Sequence, residues 1–217
     1  MTNQELFSYV DHTLLKPEAT PEQIAALCAE AAEHGTASVC VNGSYVAMAK
    51  KLLDGKAKVC AVIGFPLGAM STAAKAFEAA EAIRDGADEI DMVIHIGQLK
   101  AGNTDYVLED IKAVKAAIGD HILKVIIETC LLTEEEKITM CRLVTESGAE
   151  YIKTSTGFST GGATFDDVRL FAEHVGEGVK IKAAGGIRSR EDMEEFLRLG
   201  ASRLGTSSAV KILCGKN

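Results

Sequence analysis

Tyr151-Ile152-Lys153-Thr154-Ser155-Thr156-Gly157 reads as a short β-strand running into a loop. Lys153 sits among residues that otherwise belong inside a sheet. A lysine there must be paired, must reach water or must do chemistry. A desolvated lysine has a depressed pKa, so its amine can be a neutral nucleophile near neutral pH. The competing reading is a strand-end lysine that snorkels into solvent.

Strand-like runs recur outward from this stretch in both directions: Tyr9–Thr13, Ser38–Val41, Val59–Ile63, Glu89–Ile94, Lys124–Glu128, Tyr151–Lys153, Val179–Ala183 and Ser202–Gly205. Several are near-continuous β-branched runs, as parallel strands covered by helices require. Helical patterns separate them. Pro21–His34 places Ile24, Leu27, Cys28 and Ala31 at helical spacing. Thr20 stands as its N-cap, Gln23 as the capping-box partner and Gly35 as its stop. Thr133 to Gly148, Thr164 with Asp167 and Ser189 with Asp192 repeat that logic. Ala73–Asp85, Asp105–Ile118 and Ser44–Leu53 complete the series, while Val93–Asn103 carries the faintest pattern. Successive strands start roughly 20 to 35 residues apart, the size of single β-α units. The spacing predicts an α/β chain folded as one closed (β/α)8 barrel over residues 1–217, with short loops. An open doubly wound sheet is the alternative, but it usually has fewer units or a G-x-G-x-x-G turn, which this sequence lacks.

The formal net charge of −8 argues against nucleic-acid or acidic-membrane partners, which need basic patches. It leaves room for an anionic small molecule at a locally positive site. None of the 6 cysteines forms C-x-x-C, and no Cys/His spacing suggests zinc. The first residues carry neither the basic nor the apolar region of a signal peptide, and no run is long enough to span a bilayer. A cytoplasmic protein is expected.

In a barrel, polar residues at the C-terminal strand ends read as catalytic. Here those ends carry Asp11, Asp91, Glu128, Lys153 and Lys182. Two lysines at one barrel mouth disfavour each other's charge and lower the pKa of at least one. Asp91 can accept and return protons during carbinolamine and imine steps. The other reading is an ion-pair network that only fills the mouth. Ala184-Gly185-Gly186-Ile187-Arg188-Ser189 and Gly205-Thr206-Ser207-Ser208 follow strands seven and eight. Loops at those positions form phosphate sites in such barrels. Cys40 either lines the pocket or packs, and His12 and His95 fall near the rim without a metal-ligand companion pattern.

At these residues the chain resembles the deoxyribose-phosphate aldolase family. The resemblance covers essentially the whole sequence: Asp11–Pro17, Val62–Gly68, Glu89–Val93, Glu128-Thr129, Ile152–Gly157, Lys182–Arg188 and Gly205–Ser208. It implies reversible cleavage of 2-deoxy-D-ribose 5-phosphate to D-glyceraldehyde 3-phosphate and acetaldehyde, without a metal or organic cofactor. Lys153 is then the Schiff-base lysine, Asp91 the proton donor and acceptor, and Lys182 its relay partner. Asp11, Cys40, Thr156, Gly157, Gly185, Gly186, Arg188, Gly205, Ser207 and Ser208 would meet the sugar or its phosphate. A homo-oligomer, dimer or tetramer, is expected. One departure is visible. Some relatives carry a C-terminal tyrosine for proton transfer at the acetaldehyde carbon, whereas this chain ends Leu213-Cys214-Gly215-Lys216-Asn217. A sugar-phosphate isomerase without covalent catalysis and a non-catalytic sugar-phosphate binder remain the competing functions.

Overall fold

In the computed structural model, which describes residues 1–215, eight parallel strands close into a barrel in chain order. They are β1 (Val10–Leu14), β2 (Ser38–Asn42), β3 (Lys58–Ile63), β4 (Glu89–Val93), β5 (Ile122–Ile126), β6 (Tyr151–Lys153), β7 (Lys180–Ala184) and β8 (Ala201–Thr206). The helices are α1 (Asn3–Phe7), α2 (Pro21–His34), α3 (Val46–Leu53), α4 (Thr72–Arg84), α5 (Ile96–Lys100), α6 (Thr104–Ile118), α7 (Glu134–Ser147), α8 (Phe165–His174), α9 (Arg190–Arg198) and α10 (Ala209–Cys214). The last two residues of the tail read above, Lys216 and Asn217, lie outside the described residues. No described helix is long and apolar enough to cross a membrane.

Local chemistry sets the helix bounds. The Thr20 hydroxyl accepts from the Gln23 amide while the Gln23 side chain accepts from the Thr20 amide, and Gly35 ends α2 at φ 67°. Thr133 with Glu136 and Ser189 with Asp192 form the same reciprocal boxes. Such caps are typically worth ~1 kcal/mol each. Val93–Asn103 resolves into the end of β4 and the short α5, whose N-cap is His95. The His95 ring accepts from the Gln98 amide, so this histidine is occupied as a cap.

Strand alternation sorts the side chains into two sets. Val39, Val59, Ile90, Val125, Ile152 and Leu204 face outward and join one buried apolar cluster with Ile24, Leu27, Ile111 and Phe171 of the helices. Burying each such side chain stabilises the fold by about 1.5–3 kcal/mol. The other face of the strands carries Asp11, Ser38, Glu89, Asp91, Lys124, Lys153, Lys182 and Arg203, all buried and mostly bonded to one another. On the same side Leu15, Cys40, Cys60 and Val62 pack with Phe65, and Val93, Ile126 and Tyr151 are buried in step with Asp91, Lys124 and Lys153. An ion network therefore runs through the barrel interior, with apolar side chains packed beside it.

His12 follows Asp11 on β1 and so points outward. Its Nε2 lies 2.6 Å from Glu30 Oε2 of α2, which corrects its expected place at the rim. A second buried pair joins two helices. Lys75 Nζ of α4 lies 2.6 Å from Asp110 Oδ2 of α6, both fully buried. Burial lowers the Lys75 pKa, and the Asp110 partner offsets part of that.

Candidate active site

Register brings the interior ionisable groups together. Asp91 on β4 pairs with Lys124 on β5, and Lys153 on β6 pairs with Lys182 on β7. The two oxygens of Asp91 have separate partners. Oδ1 accepts from Lys124 Nζ at 3.0 Å and from the Cys60 thiol at 3.1 Å. Oδ2 accepts from Lys153 Nζ at 2.6 Å and Lys182 Nζ at 2.7 Å. Lys182 also lies 2.5 Å from Asp11 Oδ2, so it bridges two carboxylates. Deeper in the barrel, Arg203 reaches Asp11 Oδ1 at 2.6 Å and Glu89 Oε2 at 3.0 Å, while Lys124 reaches Glu89 Oε2 at 2.6 Å. Four buried basic groups thus share three carboxylates, and the exposed Lys58 reaches Glu89 Oε1 at 3.4 Å.

Burial alone would raise the pKa of Asp91, but Lys124, Lys153 and Lys182 outweigh it and hold the carboxyl well below its ordinary value. Asp11 is lowered in the same way by Lys182, Lys124 and Arg203 against its burial. Burial works against the Lys182 ammonium, yet Asp11 and Asp91 prevail and push its pKa up. Lys124 is pushed up against burial by Asp91 and its other anionic neighbours. A charge is retained inside a protein only when paired this closely.

Above the network opens a cavity of about 480 Å³. Lys153 forms part of its wall, so this lysine alone joins the network to the open space among Asp91, Lys153 and Lys182. The rest of the wall comes from the ends of four strands and the loops that follow them: Thr13–Lys16, Thr156–Phe158, Ala184–Arg188 and Gly205–Ser208. All the expected residues Thr156, Gly157, Gly185, Gly186, Arg188, Gly205, Ser207 and Ser208 line it. Asp11 and Cys40 do not. Both are fully buried beneath, Asp11 among cations and Cys40 beside Cys60. Hydrogen bonding with Cys60 lowers the Cys40 pKa, with burial opposing and Lys182 assisting.

Two close approaches explain glycines in this wall. A β-carbon on Gly205 would lie 2.9 Å from Ala184 Cβ and 3.1 Å from Lys182 Cε, so glycine leaves room for the lysine. Gly185 adopts φ +79°, and a β-carbon there would meet the backbone of Gly157 and Gly162. Ala163 N donates to Ala184 O at 3.0 Å, which fastens the loop after β6 to the loop after β7.

Three functional-looking groups were not singled out by the sequence reading. Lys124 and Arg203 are buried in the network, and Lys16 lies exposed at the cavity rim. A lysine opening the run Lys124-Val125-Ile126 carries the same signal that picked out Lys153, a cation inside a strand pattern. Donor atoms of Cys40, Cys60 and Asp91 lie within 4.8 Å of one another, close enough for a metal. Lys124, Lys153 and Lys182 already occupy the Asp91 oxygens, which makes this trio part of the ion network.

A closed barrel, a buried lysine–aspartate cluster and glycine-rich loops over it define an aldolase-like enzyme site. The chain belongs to the DeoC/LacD family of aldolases, whose model matches residues 6–217. It is 59% identical over 212 residues to the deoxyribose-phosphate aldolase of Streptococcus suis (strain 98HAH33), covering 97% of this chain and 96% of that one. The Clostridioides difficile (strain 630) deoxyribose-phosphate aldolase is 56% identical over 210 residues, with 97% and 96% covered. Among solved structures, the tetrameric deoxyribose phosphate aldolase of Aeropyrum pernix superposes with a TM-score of 0.89 at 32% identity, covering 99% of this chain and 92% of that one.

Proposed function

We propose that the protein reversibly cleaves 2-deoxy-D-ribose 5-phosphate to D-glyceraldehyde 3-phosphate and acetaldehyde through an imine on Lys153. The observation that carries this reading is the position of Lys153 Nζ, 2.6 Å from Asp91 Oδ2 and on the wall of the cavity. The neutral amine attacks C1 of the open-chain sugar, and the carbinolamine expels water with a proton from the Asp91–Lys182 pair. The C3 hydroxyl then returns a proton to that pair, directly or through water, the C2–C3 bond breaks, and its electrons pass to the iminium nitrogen. Glyceraldehyde 3-phosphate leaves, the enamine takes a proton at C2, and water releases acetaldehyde from Lys153.

Phosphate recognition is assigned to Gly157, Gly185, Gly186, Arg188, Gly205, Ser207 and Ser208, with Thr156 in the same wall segment as Gly157 and the buried Asp11 and Cys40 supporting the sugar end. Backbone amides beside glycine and a guanidinium are the groups that suit a phosphate. The chain acts as one barrel domain over residues 1–217, in the cytoplasm, on deoxyribose phosphate breakdown, and assembles as a homo-oligomer; light scattering on the eluting protein tests the assembly. The decisive experiment is borohydride reduction in the presence of acetaldehyde, followed by peptide mapping. A reduced two-carbon adduct on Lys153 is expected. An unmodified Lys153 alongside turnover of the sugar phosphate would point to enediol chemistry instead.

A further inference from the structure

We propose that Glu128 is a positioning residue for the phosphate, acting through the cavity-wall segment Thr156–Phe158; this rests on the reading that the cavity takes a sugar phosphate. Glu128 follows β5 in the left-handed region, at φ 56° and ψ 65°. Among the described residues the other non-glycine with positive φ is Asp54, which simply ends α3. At Glu128 no helix ends. The conformation turns the chain into a short 3-10 turn at Thr129–Leu131 and leaves the carboxylate 2% exposed under the loop after β6. A left-handed residue with a β-carbon persists only where its surroundings demand it.

The amides on either side of it donate to the Lys153 and Thr154 carbonyls, and its side chain is bound as well. Oε1 accepts from the Thr156 amide at 3.1 Å, and Oε2 accepts from the Thr156 hydroxyl. The same hydroxyl accepts from the Phe158 amide at 3.0 Å. Two of the three amides in the segment are thereby committed, and the Gly157 amide is left for a ligand. Gly157 in turn sits against Gly185 of the facing loop. A carboxylate beside an anion site would repel its ligand if it pointed there. Here its charge is spent on a hydroxyl and an amide, so Glu128 works through the segment and does not touch the substrate.

The test compares Glu128→Ala, Glu128→Gln and Glu128→Asn with wild type on deoxyribose 5-phosphate, on deoxyribose, and in calorimetric titration with inorganic phosphate. Loss of a hydrogen bond to a charged group is worth about tenfold in an equilibrium constant. We expect Ala to raise KM for the phosphorylated sugar and Kd for phosphate by about that factor, with kcat/KM for deoxyribose within about twofold. Gln keeps one acceptor and should fall between. Asn tolerates the left-handed backbone but is too short to reach Thr156, so it should resemble Ala. An Asn variant that binds phosphate like wild type would assign the effect to the backbone and overturn the proposal. So would equal changes on both sugars. If Ala does not fold, the Gln variant decides by the same criteria. If wild type turns over neither sugar, the functional reading fails, while phosphate titration still judges Glu128: unchanged affinity in the variants sinks it.

Discussion

Lys153 and Lys182 meet the same oxygen of Asp91, yet they are set up for different work. Lys182 is fully buried between two carboxylates, whereas Lys153 also reaches the cavity. Lys153→Arg keeps a cation but removes the usable nucleophile. It should abolish cleavage and borohydride trapping, with the melting curve close to that of wild type. Near-normal turnover in that variant would remove the covalent assignment. Lys182→Met should still trap acetaldehyde slowly but lose about 10²–10⁴-fold in kcat, the usual reach of a positioned proton-transfer group; unchanged kcat would reduce Lys182 to a structural ion. That Lys153, Asp91 and Lys182 meet at one barrel mouth was legible because each is a charge inside an apolar strand run. Lys124 was not singled out, although it obeys the same rule, because its partner depends on register between β4 and β5, which one strand's pattern does not contain.

At the scale of elements, the loops after β7 and β8 supply one wall of the cavity. Arg188→Ala and Ser207→Ala should raise KM for deoxyribose 5-phosphate more than for deoxyribose, with kcat falling if phosphate binding also positions the reacting carbon. Equal effects on the two sugars would remove the phosphate role. Helix packing gives an independent prediction at Lys75 and Asp110, which join α4 to α6. Removing one partner of a buried pair destabilises by about 3–5 kcal/mol, whereas replacing both by apolar residues of similar size is often neutral. Lys75→Met should therefore lower Tm sharply in thermal melts, and adding Asp110→Leu should restore much of it. A small, additive loss would mean the pair is hydrated in solution. The long helices were readable from caps and spacing, as at Thr20 and Thr133. Helices α1, α5 and α10 were not, since five or six residues are too few to display a helical period.

For the whole molecule, the ion network makes stability depend on pH at both ends. Asp11 and Asp91 have folded pKa values held below the unfolded one of about 3.9. Their contribution is present above that value and is lost as pH falls through the lower folded values. Lys124 and Lys182 have folded pKa values above the unfolded one of about 10.4. Their contribution is present below that value and is lost as pH rises through the folded values. Tm plotted against pH should show a plateau between about 4 and 10 with a fall on either side. Asp11→Asn should flatten the acid fall, and an unchanged acid limb in that variant would mean other carboxylates govern it. Eight strands with helices between them made the barrel legible from spacing alone. An ion-pair network at the mouth was one of the two readings, but its extension to Lys124 and Arg203 was not legible, because it depends on the register between neighbouring strands.

That division has a consequence for descent. The apolar shell between strands and helices buries most of the apolar area, while the lumenal face of six of the eight strands carries buried charged side chains and that of β2 and β3 is lined by Ser38, Cys40, Cys60 and Val62. Exchanging one lumenal constellation for another of matched charge leaves the shell untouched. A frame of this kind can be inherited while its reaction turns over, which is how one architecture comes to host many unrelated chemistries.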